Sequence, residues 1–168
     1  MKTIIFFLFI LTFNVFFAKG QIIHSPATKK IDYRIPIIKV LGKHMNIDRL
    51  LKSPKNHAYV FSISLVFNAE GKIDTVYLND KMSGNLKEII KTDINLSKAL
   101  NSIDFKNEFT NEIALLPIVL KRWEDQEIDN AGEFLSEFSA LWPKLKLEDK
   151  SKQVVFLEPF INLYSTIN

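Results

Sequence analysis

The stretch Tyr59–Asp80, YVFSISLVFNAEGKIDTVYLND, constrains the fold more than any other part of this chain. Tyr59, Phe61, Ile63, Leu65 and Phe67 recur at every second position. Side chains alternate faces along a strand, so these large apolar groups share one face that must be covered. The other face carries Ser62, Ser64 and Asn68 with Val60 and Val66, which predicts a half-buried strand. Asn68-Ala69-Glu70-Gly71 then puts Asn first and Gly fourth in a type I turn, with Gly71 free to adopt positive φ. The chain resumes with Ile73, Thr75 and Tyr77 on one side and Val76 and Leu78 on the other. An antiparallel hairpin is predicted.

Asn85 precedes Glu88 by three residues, the spacing of a helix cap and its capping-box partner. Leu86, Ile89, Ile90 and Ile94 share a helical face, and the helix is predicted to continue, kinked, through Leu96 and Leu100 to about Ile103. Ile113–Leu120 reads as a third strand. Pro117 places it at a sheet edge or a bulge, because proline cannot donate to a ladder. Asn130 and Glu133 repeat the cap spacing, and Phe134, Leu135, Phe138, Leu141 and Trp142 form an apolar helical stripe ended by Pro143. Val154–Phe156 and Phe160–Tyr164 read as strands or extended segments parted by Pro159.

Residues 21–57 form a leader, with a short edge strand at Ile35–Leu41 and helical turns at Asn46–Lys52 closed by Ser53-Pro54. Residues 58–168 are expected to be one α+β domain. It has a small antiparallel sheet in β-β-α-β order, helices on one face and an additional C-terminal helix packed on it.

The start of the chain speaks about destination. Lys2 is followed by an apolar run from Ile4 to Phe17, broken only by Thr12 and Asn14, and Ala18-Lys19-Gly20 supplies small residues before Gln21. This is the pattern of a cleaved secretory signal, residues 1–20, and the run is short for a membrane span. Cleavage leaves 20 basic against 19 acidic residues, so the product is nearly neutral and nucleic-acid binding is disfavoured. An exported protein, periplasmic or extracellular, without an integral membrane segment is expected. With no cysteine it has no disulfide, thiol nucleophile or thiolate site.

Charge is uneven. Residues 24–57 carry eight bases and two acids, whereas residues 124–168 carry nine acids and four bases. Either the leader is a basic arm for an anionic surface, or the two ends lie together and neutralise. The second reading is preferred, because the bases are scattered.

The hairpin, the helical stretch GNLKEIIKTDINLSKALNSIDF and the strand IALLPIVLKRW together resemble the C-terminal domain of TonB over residues 59–123, with 124–168 as an extension. Gly71 and the apolar positions carry the resemblance. It implies a β-β-α-β fold whose last strand takes a partner's strand along its edge. Pro117 interrupts the matching strand here. TonB transducers keep an N-terminal anchor and a proline-rich spacer, while this chain has a cleavable signal and six scattered prolines. The resemblance therefore implies a stand-alone exported version, of the kind found in Gram-negative bacteria.

Chemical signatures are sparse. His24, His44 and His57 lack metal-site spacing, and no nucleophile elbow, phosphate loop or dinucleotide fingerprint occurs. No metal or cofactor is expected. The run Trp123–Asp129 holds Glu124, Asp125, Glu127 and Asp129, which suit an acid–base pair, a calcium site or, more simply, a solvated linker before a helix N-terminus. Two functional readings follow. The first is a non-enzymatic exported domain that binds a protein or cell-envelope component, such as an outer-membrane protein, with Lys121, Arg122 and Trp123 as possible contacts. The second is a small secreted hydrolase using Asp/Glu, with or without His, which requires the histidines and the 124–129 acids to converge in one cleft.

Overall fold

The hairpin is present. A computed structural model describes residues 32–165, so the signal segment, its cleavage point and His24 lie outside the described residues. Strands β1 (Ala58–Phe67) and β2 (Ile73–Leu78) pair antiparallel, with Ile63 opposite Leu78 and Val66 opposite Thr75. Asn68 organises the turn: its Oδ1 accepts from the Glu70 N–H at 3.1 Å and the Lys72 N–H at 2.9 Å. Gly71 has φ 72°, and a Cβ there would stand 2.8 Å from Asn107 Oδ1, so both backbone angle and space require glycine.

Strand β3 (Glu112–Arg122) lies along the other side of β1, antiparallel, with Tyr59 opposite Leu120 and Val66 opposite Ile113. Two short strands, β4 (Gln153–Phe156) and β5 (Phe160–Tyr164), then run end to end along the far side of β3, both parallel to it. The fold is α+β, and its sheet is mostly antiparallel with a parallel edge rather than antiparallel throughout. β3 is therefore central, which corrects the expectation of an edge. Its proline is tolerated for a geometric reason. Ser62, opposite Pro117, sends its N–H away from β3 to Asn79 Oδ1 at 2.6 Å, so the two form a non-hydrogen-bonded pair. The missing proline donor thus faces the β4/β5 side, where Leu157–Pro159 interrupts the neighbouring strand.

The face bearing Tyr59, Phe61, Ile63, Leu65 and Phe67, continued by Ala114, Leu116, Ile118 and Leu120, packs on four helices. Helix α1 (Arg34–His44) replaces the edge strand expected at Ile35–Leu41. Pro36 falls in its first turn, where amides have no intrahelical partner to lose, and Ile37 and Leu41, four apart, are both buried. Helix α2 (Ile47–Leu51) matches the expected turns, with Asn46 Oδ1 accepting from the Arg49 N–H at 3.2 Å.

The helix expected after Asn85 is two helices, α3 (Gly84–Ile90) and α4 (Ile94–Asn101). Ser83, not Asn85, caps α3, its Oγ accepting from the Leu86 N–H. Lys91 turns left-handed at φ 50° and ends it. Asp93 caps α4, and the Leu96 amide, aided by those of Asn95, holds its carboxyl below the usual range against the opposing effect of desolvation. Met45 and Leu50 from the leader and Leu86, Ile89, Leu96 and Leu100 from these helices share one core. The leader from residue 32 is thus built into the domain's core.

The opposite face is also covered. All ten residues of β1 are buried, so the strand is not half-exposed. The crossover from β3 to β4, containing α5 (Ala131–Phe138) and a 3₁₀ turn at Leu147–Asp149, lies over this face. Asp149 accepts from the Tyr77 hydroxyl at 2.7 Å, and the Lys152 ammonium donates to the Phe67 carbonyl at 2.9 Å, which pins the crossover to the hairpin. α5 packs on β1 as expected, but turned about its axis, with Phe134 only half-buried. Its buried residue is Glu137, while Leu135, Phe138 and Trp142 from the expected apolar stripe are exposed.

Candidate functional site

β2 pairs with β1 only from Ile63 onward, so the first half of β1 presents an edge on that side. Side chains close it. Asn130 Oδ1 accepts from the Ala58 N–H at 3.1 Å and Asn130 Nδ2 donates to the Ala58 carbonyl at 2.8 Å. Glu137 Oε2 accepts from the Val60 N–H at 3.2 Å, and its Oε1 accepts from the Ser83 N–H at 3.1 Å. Asn79 accepts from the Ser62 N–H and donates its own amide to the Glu137 carbonyl at 3.2 Å. Glu137, 1 % exposed, is held entirely by backbone donors.

The other edge of the sheet differs. β4 and β5 place Phe156, Ile161 and Leu163 on one face, beside Leu115, Val119 and Lys121 of β3. All three are exposed, Ile161 at 61 %, and Trp142 packs at a tilt against Phe156 with ring centroids 5.3 Å apart. The Trp123 N–H donates to the Tyr164 carbonyl, which fixes the inward-facing groups of β5. Ile161 and Leu163, three and one positions before Tyr164, therefore turn their backbone groups outward. Beside this strand runs a groove of about 650 Å³ lined by Ile35, Ile38 and Lys39 of α1 and by Pro159, Phe160 and Ile161.

The three sequence-derived contact residues separate. Trp123 is 70 % exposed. Lys121 lies on the Leu163 face and is partly exposed. Arg122 points to the other face and is buried, 7 % exposed, under the loop that joins α2 to β1. Its Nη2 donates to the Ser53 carbonyl, its Nε has no acceptor, and no carboxylate lies within ion-pair distance among the described residues. Tyr164, its neighbour across the ladder, has a hydroxyl beside Ser53, and burial raises its pKa above the usual phenol value. Phe156, Ile161 and Leu163 escaped sequence reading because their alternation marks a strand but not which face stays open.

Of the groups that hydrolase chemistry would use, His57 lies in the loop held by two of the 124–129 acids, and His44 lies on another element. His44 ends α1, while His57 sits before β1 with Nδ1 3.2 Å from the Lys55 carbonyl. Asp125 Oδ2 accepts from the Asn56 N–H at 2.7 Å and Asp129 Oδ2 from the Asn56 side-chain amide at 3.2 Å, so two of the acids hold the loop before β1. No group of three His, Asp or Glu side chains among the described residues is placed to hold a metal ion. The leader and tail do meet: Arg34 pairs with Glu158 at 2.9 Å, consistent with mutual neutralisation of their charges. No described helix is long and apolar enough to cross a membrane. Comparison with models of known protein families, with curated proteins and with solved structures finds no match.

Proposed function

We propose that this is an exported, non-enzymatic domain, periplasmic or extracellular, that binds a protein of the cell envelope by accepting an extended strand at the β3–β5 side of its sheet. The reading fits a stand-alone relative of the TonB C-terminal domain, in which this side of the sheet takes the partner. One observation carries it: the edge formed by β4 and β5 keeps Phe156, Ile161 and Leu163 exposed, with outward backbone groups at Ile161 and Leu163. An apolar edge with open backbone groups attracts another polypeptide strand unless something covers it.

The test is site-specific photo-crosslinking in the envelope of the producing cell. A benzophenone amino acid is placed at Ile161 and, as a control, at the exposed Lys91 between α3 and α4. A discrete adduct from position 161, absent from position 91, is expected, with its strand identified by peptide mapping. Equal or absent labelling at position 161 counts against the proposal.

A further inference from the structure

The segment Trp142–Lys150, in the crossover between α5 and β4, carries apolar side chains that the fold holds away from its core. Leu147 is 83 % exposed, more than any other large apolar residue described. This is not the exposure of a loose loop. The Lys146 N–H donates to the Tyr77 hydroxyl at 3.3 Å, and that hydroxyl donates to Asp149 at 2.7 Å. Asp149 is buried and also meets the Lys152 ammonium at 3.5 Å. Both flanks of Leu147 are thus tied to one phenol, and the leucine between them stays in water, where it forgoes the stabilisation of burial.

Leu147 and Lys150 are three apart on a 3₁₀ turn, where such positions eclipse, so they share a side. Lys150 in turn lines a shallow pocket of about 410 Å³ with Trp142, Pro143, Lys144 and Leu145. Exposed apolar groups and ammonium groups therefore lie together. Lys144 pairs with Asp80 at 3.3 Å and Lys146 with Glu148 at 3.9 Å, at the solvent-facing surface, where such pairs are weak and readily exchanged for another anion. Lys150 has no ion-pair partner among the described residues. Lysine is depleted from protein–protein contacts, yet this segment holds three in nine residues. The boundary between lipid headgroups and acyl chains suits the same mixture: the indole ring and leucine enter it, and lysines keep their ammonium groups at the phosphates.

We propose that Trp142–Lys150 seats the domain on an anionic phospholipid surface, with Leu147 and Trp142 entering the headgroup boundary and Lys144, Lys146 and Lys150 meeting lipid phosphates. This goes beyond strand acceptance, because Leu147 belongs to neither β4 nor β5. The attachment is shallow and reversible: two apolar side chains and three lysines, offset by Asp80 and Glu148, supply less than a stable lipid anchor.

The experiment uses the purified full chain carrying Trp123→Phe, which leaves Trp142 as its one tryptophan. Vesicles are made of phosphatidylcholine alone or of equal parts phosphatidylcholine and phosphatidylglycerol. Cosedimentation with the anionic vesicles is expected, with a blue shift of Trp142 emission and its quenching by brominated lipid. Leu147→Glu is expected to lower that partition about tenfold or more, and Lys144→Gln with Lys146→Gln about fivefold. On phosphatidylcholine alone the lysine variant matches its parent. All these side chains are exposed, so unchanged urea midpoints report an intact fold. Every variant keeps the N-terminal apolar run, so binding through that run is insensitive to these substitutions. Full binding by Leu147→Glu, or Trp142 emission unmoved by vesicles, overturns the proposal. Equal binding of the parent to both kinds of vesicle overturns the anionic preference. Binding to neither overturns lipid docking and leaves the strand-accepting function standing.

Discussion

The two edges of this sheet are closed by different means. Along the first half of β1, Asn130, Glu137 and Asn79 reach in from the crossover and the β2–α3 connection to serve the Ala58, Val60 and Ser62 amides. Along β3, the chain lays down its own strands instead. The first closure satisfies every amide it meets. The second leaves Arg122 Nε without an acceptor and three large apolar side chains in the open. Side-chain plugs depend on one set of atoms and admit no substitute. A strand offers only backbone pairing, which any extended segment of suitable side chains reproduces. The difference separates a structural edge from one suited to strand addition.

Removing the centre of the first closure has the largest expected effect. Glu137→Ala strips acceptors from the buried Val60 and Ser83 amides. At about 2 kcal/mol for each orphaned donor, the loss is about 4 kcal/mol, measured as a lowered urea midpoint at unchanged slope. Glu137→Gln keeps one oxygen for one amide and loses about half as much. A loss below about 1 kcal/mol for the alanine variant would show that this edge is not held by Glu137. Asn79→Ala comes next. It leaves the Ser62 N–H and the Glu137 carbonyl unpaired, for about 2 kcal/mol in the same assay. If Asn79→Ala and Glu137→Ala are additive, the plug is a set of separate bonds; a combined loss smaller than the sum shows that Asn79 and Glu137 act as one unit.

The two edges also mark how far the sequence could be read. The hairpin and its turn are legible because alternation, Asn68 and Gly71 all specify one local geometry. Helix α1 is not, because Pro36 is compatible with both an edge strand and a first helical turn, and only the burial of Ile37 and Leu41 decides. Pro117 misleads for the converse reason. Its missing donor signals an unpaired position, which an interruption at Leu157–Pro159 provides as well as a free edge. α5 is harder still. Its stripe from Phe134 to Trp142 is as apolar as a core helix, yet the unpaired amides of β1 draw Glu137 inward and turn Leu135 and Phe138 out. That outcome depends on where β2 begins, which no local pattern records. Arg122 was legible as a contact residue type, but its burial and lack of a carboxylate appear only when β5 is placed beside it.

Hydrogen exchange sharpens the contrast on a smaller scale. The Val60 and Ser62 amides are buried and bonded to side chains of the plug, and they open only with the whole domain. The inward amides of β5 open when that strand alone detaches. They are expected to exchange at least tenfold faster than those of Val60 and Ser62, a difference of about 1.4 kcal/mol or more in opening free energy. Equal protection would mean that β5 opens only by global unfolding and is held as firmly as the plugged edge.

The smallest expected effect on stability belongs to the exposed face of β5, and it separates binding from folding. Ile161→Lys and Leu163→Lys change side chains that already meet solvent, so each shifts the urea midpoint by no more than about 0.5 kcal/mol. Lysines on an open edge strand nevertheless oppose the addition of another strand. Both variants are expected to fold normally and to lose crosslinked adduct formation from a benzophenone placed at Phe156, on the same face. If either substitution instead costs as much as Asn79→Ala, its side chain supports the fold, and the β3–β5 edge belongs with the β1 edge as a structural closure.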